Sequence, residues 1–285
     1  MTDTIENIFE TVAETASDIR AVLAERRSYE MGHNPSGEQQ LAADVYADEL
    51  FEERLLALPD VGFYASEERE GVVENGENPS DAEFHVTCDP LDGSSNLKSN
   101  NGMGTIVGIF DERPPASGDA LVAAAYVIYG PITTMVTARD GTVREYLVDG
   151  GRELLEDDVT LPDDPVVYGF GGRVPDWTDD LADYVDSVES RRLKLRYGGA
   201  MVADVNQVLT YGGIFGYPML EDAPEGKLRL QFEGHPIGFI ISTAGGASTD
   251  GERSLLDRTP EDLHARSPVF VGNESLIRDL EDALD

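Results

Sequence analysis

The sequence predicts an α+β protein, in which helices pack on a largely antiparallel sheet and a second half alternates strands with helices. An amphipathic segment opens the chain, and short segments rich in Val, Ile, Thr and Tyr dominate residues 104–148. After a polar, proline-containing stretch at residues 157–165, strand-like and helix-like segments alternate. We therefore expect a division near residue 160, into residues 1–160 and residues 161–285.

The first half is predicted to begin with two helices and to continue as strands. The apolar residues of the first helix recur at helical spacing: Ile5, Ile8, Phe9, Val12, Ala16, Ile19 and Leu23. A loop at residues 33–37 leads to a second helix, expected from about residue 38 to residue 58, with Asp44 close to its apolar stripe. Strands are expected at residues 61–65, 84–88, 104–110, 121–128, 132–138 and 142–148, with a hairpin turn at Asp140-Gly141.

The second half is predicted to alternate its elements. Strands are expected at residues 166–170, 192–195 and 228–232. Helices are expected at residues 177–189, 200–211 and 236–244, with a last one from residue 274. The pair Gly245-Gly246 is a helix-ending signal for the third of these.

The charge of the chain is strongly acidic. It has 56 acidic and 21 basic residues, a formal net charge of -35, and three lysines, Lys98, Lys194 and Lys227. In molar salt the Debye length falls to roughly 3 Å, which screens self-repulsion that would strain the fold in dilute buffer. With an ordinary 40% of hydrophobic residues, this composition indicates adaptation to high salt. The same charge argues against nucleic acid and anionic membranes as partners.

No feature of the sequence indicates secretion or a membrane span. Cys88 is the only cysteine, so an intramolecular disulfide is excluded, and its apolar strand favours a buried thiol. The first residues lack the positive charge of a signal peptide, and the longest apolar run, residues 121–129, is too short to cross a bilayer. We therefore expect a cytoplasmic protein.

The octapeptide Asp-Pro-Leu-Asp-Gly-Ser-Ser-Asn at residues 89–96 carries the clearest functional signal. It follows a strand-like stretch, so two carboxylates are expected at the carboxyl end of a strand, followed by a turn with free backbone N–H groups. Mg²⁺ prefers carboxylate and carbonyl oxygens, and such a turn suits phosphate. Most Asp-x-x-Asp pairs in so acidic a chain would be solvated surface, but here an apolar strand precedes and Gly-Ser-Ser follows. The octapeptide therefore predicts a metal-assisted phosphoryl site.

Several other segments carry a high density of functional groups: residues 34–38, 66–68, 196–204, 211–218 and 226–233. Taken alone, Tyr197 and Tyr217 are typical of half-buried aromatic residues. Lys227 is equally consistent with a surface lysine and with a point charge that binds phosphate. Structural or surface positions are expected for the four histidines, which show no paired metal spacing: His33, His85, His235 and His264.

In this order, the octapeptide and these segments resemble the class I fructose-1,6-bisphosphatases over essentially the whole chain. The octapeptide alone resembles the wider lithium-sensitive phosphatase superfamily, which includes the inositol monophosphatases. The resemblance implies a layered α-β-α-β-α architecture with two mixed sheets and, with the composition, a halophilic archaeal source. It implies Mg²⁺-dependent hydrolysis of the 1-phosphate of fructose 1,6-bisphosphate in gluconeogenesis, with two or more ions per site and Mn²⁺ as a substitute. It also implies a homotetramer.

The resemblance assigns metal-binding and catalytic roles to individual residues. Metal ligands are implied at five positions, the carboxylates of Glu67, Asp89, Asp92 and Glu233 and the carbonyl of Leu91. An additional, loosely held metal is implied at Glu38. Glu68 and Asp44 match residues that orient and deprotonate the attacking water. Crowding by other carboxylates should raise their pKa, unless the positive charge of the ions outweighs it.

The same resemblance implies the substrate-binding residues. The cradle for the phosphate to be cleaved is implied at Asp92, Gly93, Ser94 and Ser95. Contacts to the sugar and its distal phosphate are implied for Tyr197, Tyr217, Lys227 and Arg196, the arginine reaching in from a neighbouring subunit. Residues 171–174 depart from the family, since Gly-Gly-Arg-Val replaces Asn-Glu-Gly-Tyr. The ligands of the distal phosphate therefore stay open, and Arg173 could compensate.

The regulation and the substrate also allow alternatives. Glu83 and Asp111 stand where AMP-inhibited relatives have basic residues, so we expect no AMP inhibition of that type. The same chemistry could act on sedoheptulose 1,7-bisphosphate or on an inositol monophosphate, although Lys227 and Arg196 favour a bisphosphate. An alternative from another class is a non-catalytic, acidic cation-binding protein.

Overall fold

The computed structural model describes residues 3–35, 37, 39–76, 79–220 and 223–284, and within them it contains six α-helices and seventeen β-strands. The helices are α1 (Thr4–Val22), α2 (Ala42–Leu55), α3 (Asp179–Ser190), α4 (Met201–Tyr211), α5 (His235–Thr243) and α6 (Glu274–Leu284). The first nine strands are β1 (Tyr29–His33), β2 (Gln39–Leu41), β3 (Val61–Ser66), β4 (Val73–Glu74), β5 (Phe84–Asp92), β6 (Gly104–Phe110), β7 (Leu121–Tyr129), β8 (Thr133–Arg139) and β9 (Thr142–Val148). The others are β10 (Arg152–Asp157), β11 (Val167–Phe170), β12 (Lys194–Leu195), β13 (Gly213–Tyr217), β14 (Leu228–Arg229), β15 (Ala247–Thr249), β16 (Arg266–Ser267) and β17 (Val269–Gly272).

The first half is built on an eight-stranded sheet in the order β10-β9-β8-β7-β6-β5-β3-β4. Neighbouring strands are antiparallel except β3 and β5, which run parallel. The hairpin between β8 and β9 turns at Asp140 and Gly141, whose φ angles are 51° and 72°. Positive φ at both central residues is what a type I′ hairpin turn requires, so the turn predicted from this Asp-Gly pair is confirmed.

The second half is built on a five-stranded mixed sheet in the order β12-β11-β13-β17-β15. Strands β12, β11 and β13 are parallel, whereas β17 is antiparallel to both β13 and β15. The remaining described strands form two small antiparallel pairs, β1 with β2 and β14 with β16. Strand β14 is followed directly by a π-helical turn, Leu230–Gly234, that leads into α5.

Helices and sheets alternate in five layers. Helices α1 and α2 cover one face of the eight-stranded sheet, where Ile8, Phe9 and Phe51 are buried. Helices α4 and α5 lie between the two sheets and bury Val202 and Ile240. Helices α3 and α6 cover the outer face of the five-stranded sheet with a third apolar cluster. The predicted α-β-α-β-α architecture with two mixed sheets is therefore confirmed.

Some element boundaries differ from the prediction. The second helix begins at Ala42 rather than near residue 38, because residues 39–41 pair with β1 as strand β2. The strand predicted at residues 228–232 ends at Arg229 and continues as the π-helical turn. The sequence also missed β1, β4, β10, β13, β15, β16 and β17. Strand β10 is charged and mostly exposed at a sheet edge, and the others are short, so none shows a clear period of two.

Two other expectations concern the burial of Cys88 and the division of the chain near residue 160. Cys88 is a fully buried free thiol, as predicted. Among the helices of the described residues, none combines the length and the apolar character that a bilayer crossing demands. The larger sheet uses residues 61–157 and the smaller one residues 167–272, so the division near residue 160 falls between them and stays a prediction.

Candidate active site

A cleft of about 310 Å³ opens where the carboxyl ends of β3, β5 and β13 meet the N-terminus of α4. Because β3 and β5 are parallel neighbours, the residues that follow them lie at one edge of the sheet, the usual place for ligands in such sheets. The predicted site residues that line this cleft are Asp44, Glu67, Glu68, Asp89, Leu91, Asp92, Gly93, Ser94, Ser95, Tyr197, Tyr217, Lys227 and Glu233. Two predicted site residues are not among them: Arg196 lies outside the cleft lining, and Glu38 lies outside the described residues.

Three buried carboxylates form the centre of the cleft. Ligand oxygens of Glu67, Asp89 and Glu233 all lie within 4.8 Å of one another. Glu67 directly follows β3, Asp89 lies in β5, and Glu233 lies in the π-helical turn. That turn holds Glu233 in place, because the backbone N–H of Arg229 donates to its Oε2 at 2.6 Å. Three separate segments are therefore needed to assemble the cluster.

Arg229 is a site residue that the sequence analysis did not single out. Its Nη1 lies 3.0 Å from Oε1 of Glu67, and both side chains are buried. The sequence does show an arginine four positions before a glutamate in the segment at residues 226–233. Its position was hidden because the segment was predicted to be a strand, in which residues four apart lie far from each other.

The carboxyl groups of Asp89 and Glu233 in the cluster, and that of neighbouring Asp92, have raised pKa values. Burial, and then the charge of Glu67, raise the pKa of Asp89 well above its usual range, and the same two causes raise the pKa of Glu233. Burial raises the pKa of Asp92 to about 7, against the opposing effect of the Val202 N–H group. Crowded buried carboxylates are stabilised by a nearby cation. Oxygen ligands this close together also suit a hard divalent ion, so the residues present fit a metal site.

Asp92 connects the cluster to the predicted phosphate turn. It is the last residue of β5, beyond a bulge in the pairing with β6, and its Oδ2 accepts a 2.7 Å hydrogen bond from Val202 N in the first turn of α4. Gly93 then has φ 72°, and a Cβ there would lie 2.2 Å from the Cβ of Ala200. Only glycine allows this close approach of the turn to the start of α4. Ser94 and Ser95 follow in a short 3₁₀ turn.

Glu68 and Asp44 also line the cleft, beside the cluster. Glu68 accepts a 2.6 Å hydrogen bond from Nε2 of Gln40, and Asp44 accepts one of 2.7 Å from Leu41 N at the start of α2. Burial, followed by the charges of Glu67 and Asp44, raises the pKa of Glu68 to about 8. A carboxyl group with such a pKa can hold or release a proton near neutral pH.

Arg69 fixes the segment that carries Glu67 and Glu68 to helix α2. Its Nε lies 2.5 Å from Oδ2 of Asp48, and its Nη1 lies 2.5 Å from Oε2 of Glu52. Both acids belong to α2, the helix that carries Asp44. The two ion pairs therefore hold the elements that bear Glu68 and Asp44 in one arrangement.

Two tyrosines and a lysine also line the cleft. Nζ of Lys227 lies 5.8 Å from the ring centre of Tyr217. Burial, and then neighbouring Tyr217, raise the pKa of Tyr197 to about 12, although its side chain is 45% exposed at the cleft mouth. The Tyr217 ring occupies the space where a side chain at Gly171 would lie, 2.4 Å from a Cβ there. Arg173 is exposed and does not line the cleft.

Arg196 precedes Tyr197 in the loop before α4, and Asp204 lies in the first turn of α4. Arg196 is exposed, and its Nη1 donates to the carbonyl of Leu195 at 2.9 Å. Asp204 is buried in the cleft wall and was not singled out from the sequence. Burial raises its pKa to about 6, against the opposing effect of the Gly198 and Gly199 N–H groups. No local pattern marked it, because it depends on a loop that folds back over α4.

The whole chain is similar to proteins of known family. The family model described as "Fructose-1-6-bisphosphatase, N-terminal domain" matches residues 3–153, and the one described as its C-terminal domain matches residues 161–285. A "Fructose-1,6-bisphosphatase class 1" of Natronomonas pharaonis is 64% identical over 286 residues, covering 100% of both chains. One of Haloarcula marismortui is 55% identical, over 99% of this chain and 95% of its own. The crystal structure of fructose-1,6-bisphosphatase from Leishmania major in holo form superposes with a TM-score of 0.90 at 27% identity, covering 96% of this chain and 92% of that one.

Proposed function

The chain belongs to the class 1 fructose-1,6-bisphosphatase family, and we propose on this premise how its cleft hydrolyses the 1-phosphate of fructose 1,6-bisphosphate. The products are fructose 6-phosphate and phosphate. The reaction belongs to gluconeogenesis. The observation that supports the proposal is the cluster of Glu67, Asp89 and Glu233, with oxygens within 4.8 Å of one another beside the turn that starts at Gly93. The cluster would supply a divalent-metal site, and the turn next to it a phosphate site, in one cleft.

The family depends on a divalent metal, and we propose Mg²⁺, two or more ions per site, with Mn²⁺ as a substitute. The proposed ligands are the carboxylates of Glu67, Asp89, Asp92 and Glu233 and the carbonyl of Leu91. When bound, such ions supply positive charge that neutralises phosphoryl oxygens and makes a water molecule more acidic. Arg229, paired with Glu67, would supply a cation at this cluster where metal is absent. A further ligand at Glu38 remains a proposal.

The protein groups around the reacting phosphate divide into acceptors and donors. Glu68 and Asp44 are proposed to orient the attacking water, and Glu68 to take its proton. Cations bound at the neighbouring carboxylates would lower the raised pKa of Glu68 and leave it ionised, which supports this role. The turn of Gly93, Ser94 and Ser95 would offer N–H and O–H donors to the phosphate.

Two tyrosines and a lysine of the cleft are proposed to select a bisphosphate. Tyr197, Tyr217 and Lys227 would contact the sugar and its distal phosphate, with Lys227 as a point charge for the phosphate. Arg196 does not reach the cleft of its own chain, which supports the proposal that it completes the site of a neighbouring subunit. We therefore propose an oligomer, and by analogy with the family a homotetramer. We also propose that the enzyme is cytoplasmic. Sedoheptulose 1,7-bisphosphate is the main alternative substrate, since it carries the same two kinds of phosphate.

The test is a phosphate-release assay in multimolar KCl with Mg²⁺, run over a panel of sugar bisphosphates and monophosphates. We expect the highest kcat/KM with fructose 1,6-bisphosphate and a clear loss with substrates that lack the distal phosphate. Preference for an inositol monophosphate would instead indicate the wider superfamily. Failure to cleave fructose 1,6-bisphosphate under these conditions would contradict the proposal.

AMP at physiological concentration is predicted not to inhibit the enzyme in high salt. Glu83 and Asp111 are exposed at the same end of the neighbouring strands β5 and β6, and two carboxylates there repel a phosphate group. The measurement is initial rate against AMP concentration, with the product fructose 6-phosphate as a positive control for inhibition. Strong inhibition by AMP would show that a different set of residues binds the nucleotide.

A further inference from the structure

The peptide at Gly198, directly after Tyr197, is held from both sides. The N–H groups of Gly198 and Gly199 donate to the two carboxylate oxygens of Asp204, at 2.7 Å and 3.3 Å. The carbonyl of Gly198 accepts hydrogen bonds of 2.9 Å from Nδ2 of Asn96 and from Nδ2 of Asn101. Four hydrogen bonds therefore fix a two-glycine segment that would otherwise be among the most flexible of the chain.

These contacts connect the turn at Gly93 to the segment that carries Tyr197. Asn96 closes the turn that begins at Gly93, because its backbone N–H donates to the Gly93 carbonyl at 2.8 Å. Its side chain also donates to the Gly102 carbonyl at 2.8 Å, so it is itself fixed. Through Gly198, the turn that begins at Gly93 is connected to Tyr197. The position of Tyr197 relative to the turn therefore depends on the hydrogen bonds that Gly198 and Gly199 make.

Asp204 is the anchor of this arrangement. It lies in the first turn of α4, where a carboxylate is favoured by the helix dipole, and its own N–H donates to the Ala200 carbonyl. Its side chain is 3% exposed, so it accepts the two loop N–H groups in a place where water cannot easily replace it. Without these acceptors the half-buried N–H of Gly198 would lose its partner, and the two-glycine segment would lose the contacts that tie it to α4.

We propose that Asp204 is a positioning residue, which holds Tyr197 at the distance from the Gly93–Asn96 turn that a sugar bisphosphate must span. The inference rests on the proposed function, since it assumes that the turn binds one phosphate and that Tyr197 contacts the sugar and the distal phosphate. A monophosphate such as fructose 1-phosphate has no distal phosphate that must be placed at that distance, so it depends on it less. Asp204 therefore contributes to the choice of a bisphosphate over a monophosphate without touching either.

The experiment compares Asp204→Ala and Asp204→Asn with the wild-type enzyme, on fructose 1,6-bisphosphate and on fructose 1-phosphate. For Asp204→Ala we expect kcat/KM on the bisphosphate to fall by about 10-fold to 100-fold, chiefly through KM, as for a misplaced binding group. On fructose 1-phosphate the same variant should change little. Asp204→Asn keeps one oxygen acceptor, which can bond Gly198 N, and should recover most of the lost preference.

A matched control separates positioning from general loss of stability. Asp250 is also buried and also accepts two backbone N–H groups, those of Glu252 and Arg253 at 2.9 Å each, but it lies outside the cleft lining. Asp250→Ala should lower the Tm in the same salt and leave the preference between the two substrates unchanged.

The outcomes separate the inference from the function beneath it. If the wild-type enzyme prefers the bisphosphate and Asp204→Ala keeps that preference, the inference is wrong and the proposed function stands. If Asp250→Ala shifts the preference as much as Asp204→Ala does, the effect is one of stability and the inference is again wrong. A wild-type enzyme with no preference for the bisphosphate would overturn the proposed function and this inference together.

Discussion

Replacement of Glu68 by glutamine is expected to lower kcat on fructose 1,6-bisphosphate by a factor of about 10² to 10⁴, the range for loss of a general base. Glutamine has the same shape and can still accept the hydrogen bond from Nε2 of Gln40, which is 2.6 Å long in the wild type. It cannot take a proton from water. The change therefore removes one chemical function and leaves the surroundings of the side chain intact.

The binding of metal is expected to survive this substitution. The cluster of Glu67, Asp89 and Glu233 does not include Glu68, so Mg²⁺ or Mn²⁺ affinity measured by calorimetry should stay close to that of the wild type. Glu70→Gln is a suitable control, because Glu70 is exposed two residues further along the chain and does not line the cleft. It should leave both kcat and metal affinity unchanged.

Two results would contradict the role given to Glu68. If turnover and metal affinity were lost together, Glu68 would be a ligand rather than a base. If neither changed, another group would take the proton from water. A wild-type protein that binds cations but shows no turnover would instead match the alternative of a non-catalytic cation-binding protein.

Much of the fold, and the part of the site formed by residues 89–96, could be predicted because the relevant signals are local. The Asp-Gly pair at residues 140–141 requires a turn by its backbone preferences alone, and the structure has that turn. The octapeptide could be placed at the end of a strand because an apolar strand precedes Asp89 and Gly93 permits the sharp turn after it. In each case the neighbours in sequence are also the neighbours in space.

The rest of the site depends on tertiary contacts, which no local pattern reveals. The run from Leu228 to Glu233 alternates apolar and polar residues as a strand does, but a π-helical turn brings Arg229 back to Glu233. Asp204 resembles any acid in the first turn of a helix until the loop at Gly198 folds over it. The sequence therefore indicated the segments of the site, whereas long-range packing decides which side chains of each segment act together.

The metal-free protein is expected to become less stable as the pH rises from about 4 to about 8. Burial raises the pKa of Asp92 from its usual 3.8 to about 7 and that of Glu68 from 4.5 to about 8. Between the usual and the raised values, the folded state binds more protons than the unfolded state, so stability is present below the usual pKa and is lost as the pH passes the raised one. The measurement is Tm against pH in constant molar KCl with a chelator. Molar salt does not remove the effect, because buried charges are screened far less than exposed ones.

Addition of Mg²⁺ should reverse this slope, and that reversal is the sharper part of the prediction. A cation that binds only the folded state stabilises it more the more tightly it binds, and the affinity rises as the carboxyl groups lose their protons. The difference in Tm between samples with and without Mg²⁺ should therefore be small near pH 5 and large near pH 8. Asp92→Asn removes one of the titrating groups and should flatten the metal-free profile, whereas Asp111→Asn, at an exposed site, should leave it unchanged. A metal-free Tm that rises through this range would mean that Arg229 already holds the cluster ionised, and the carboxyl groups would then not need a metal for their charge.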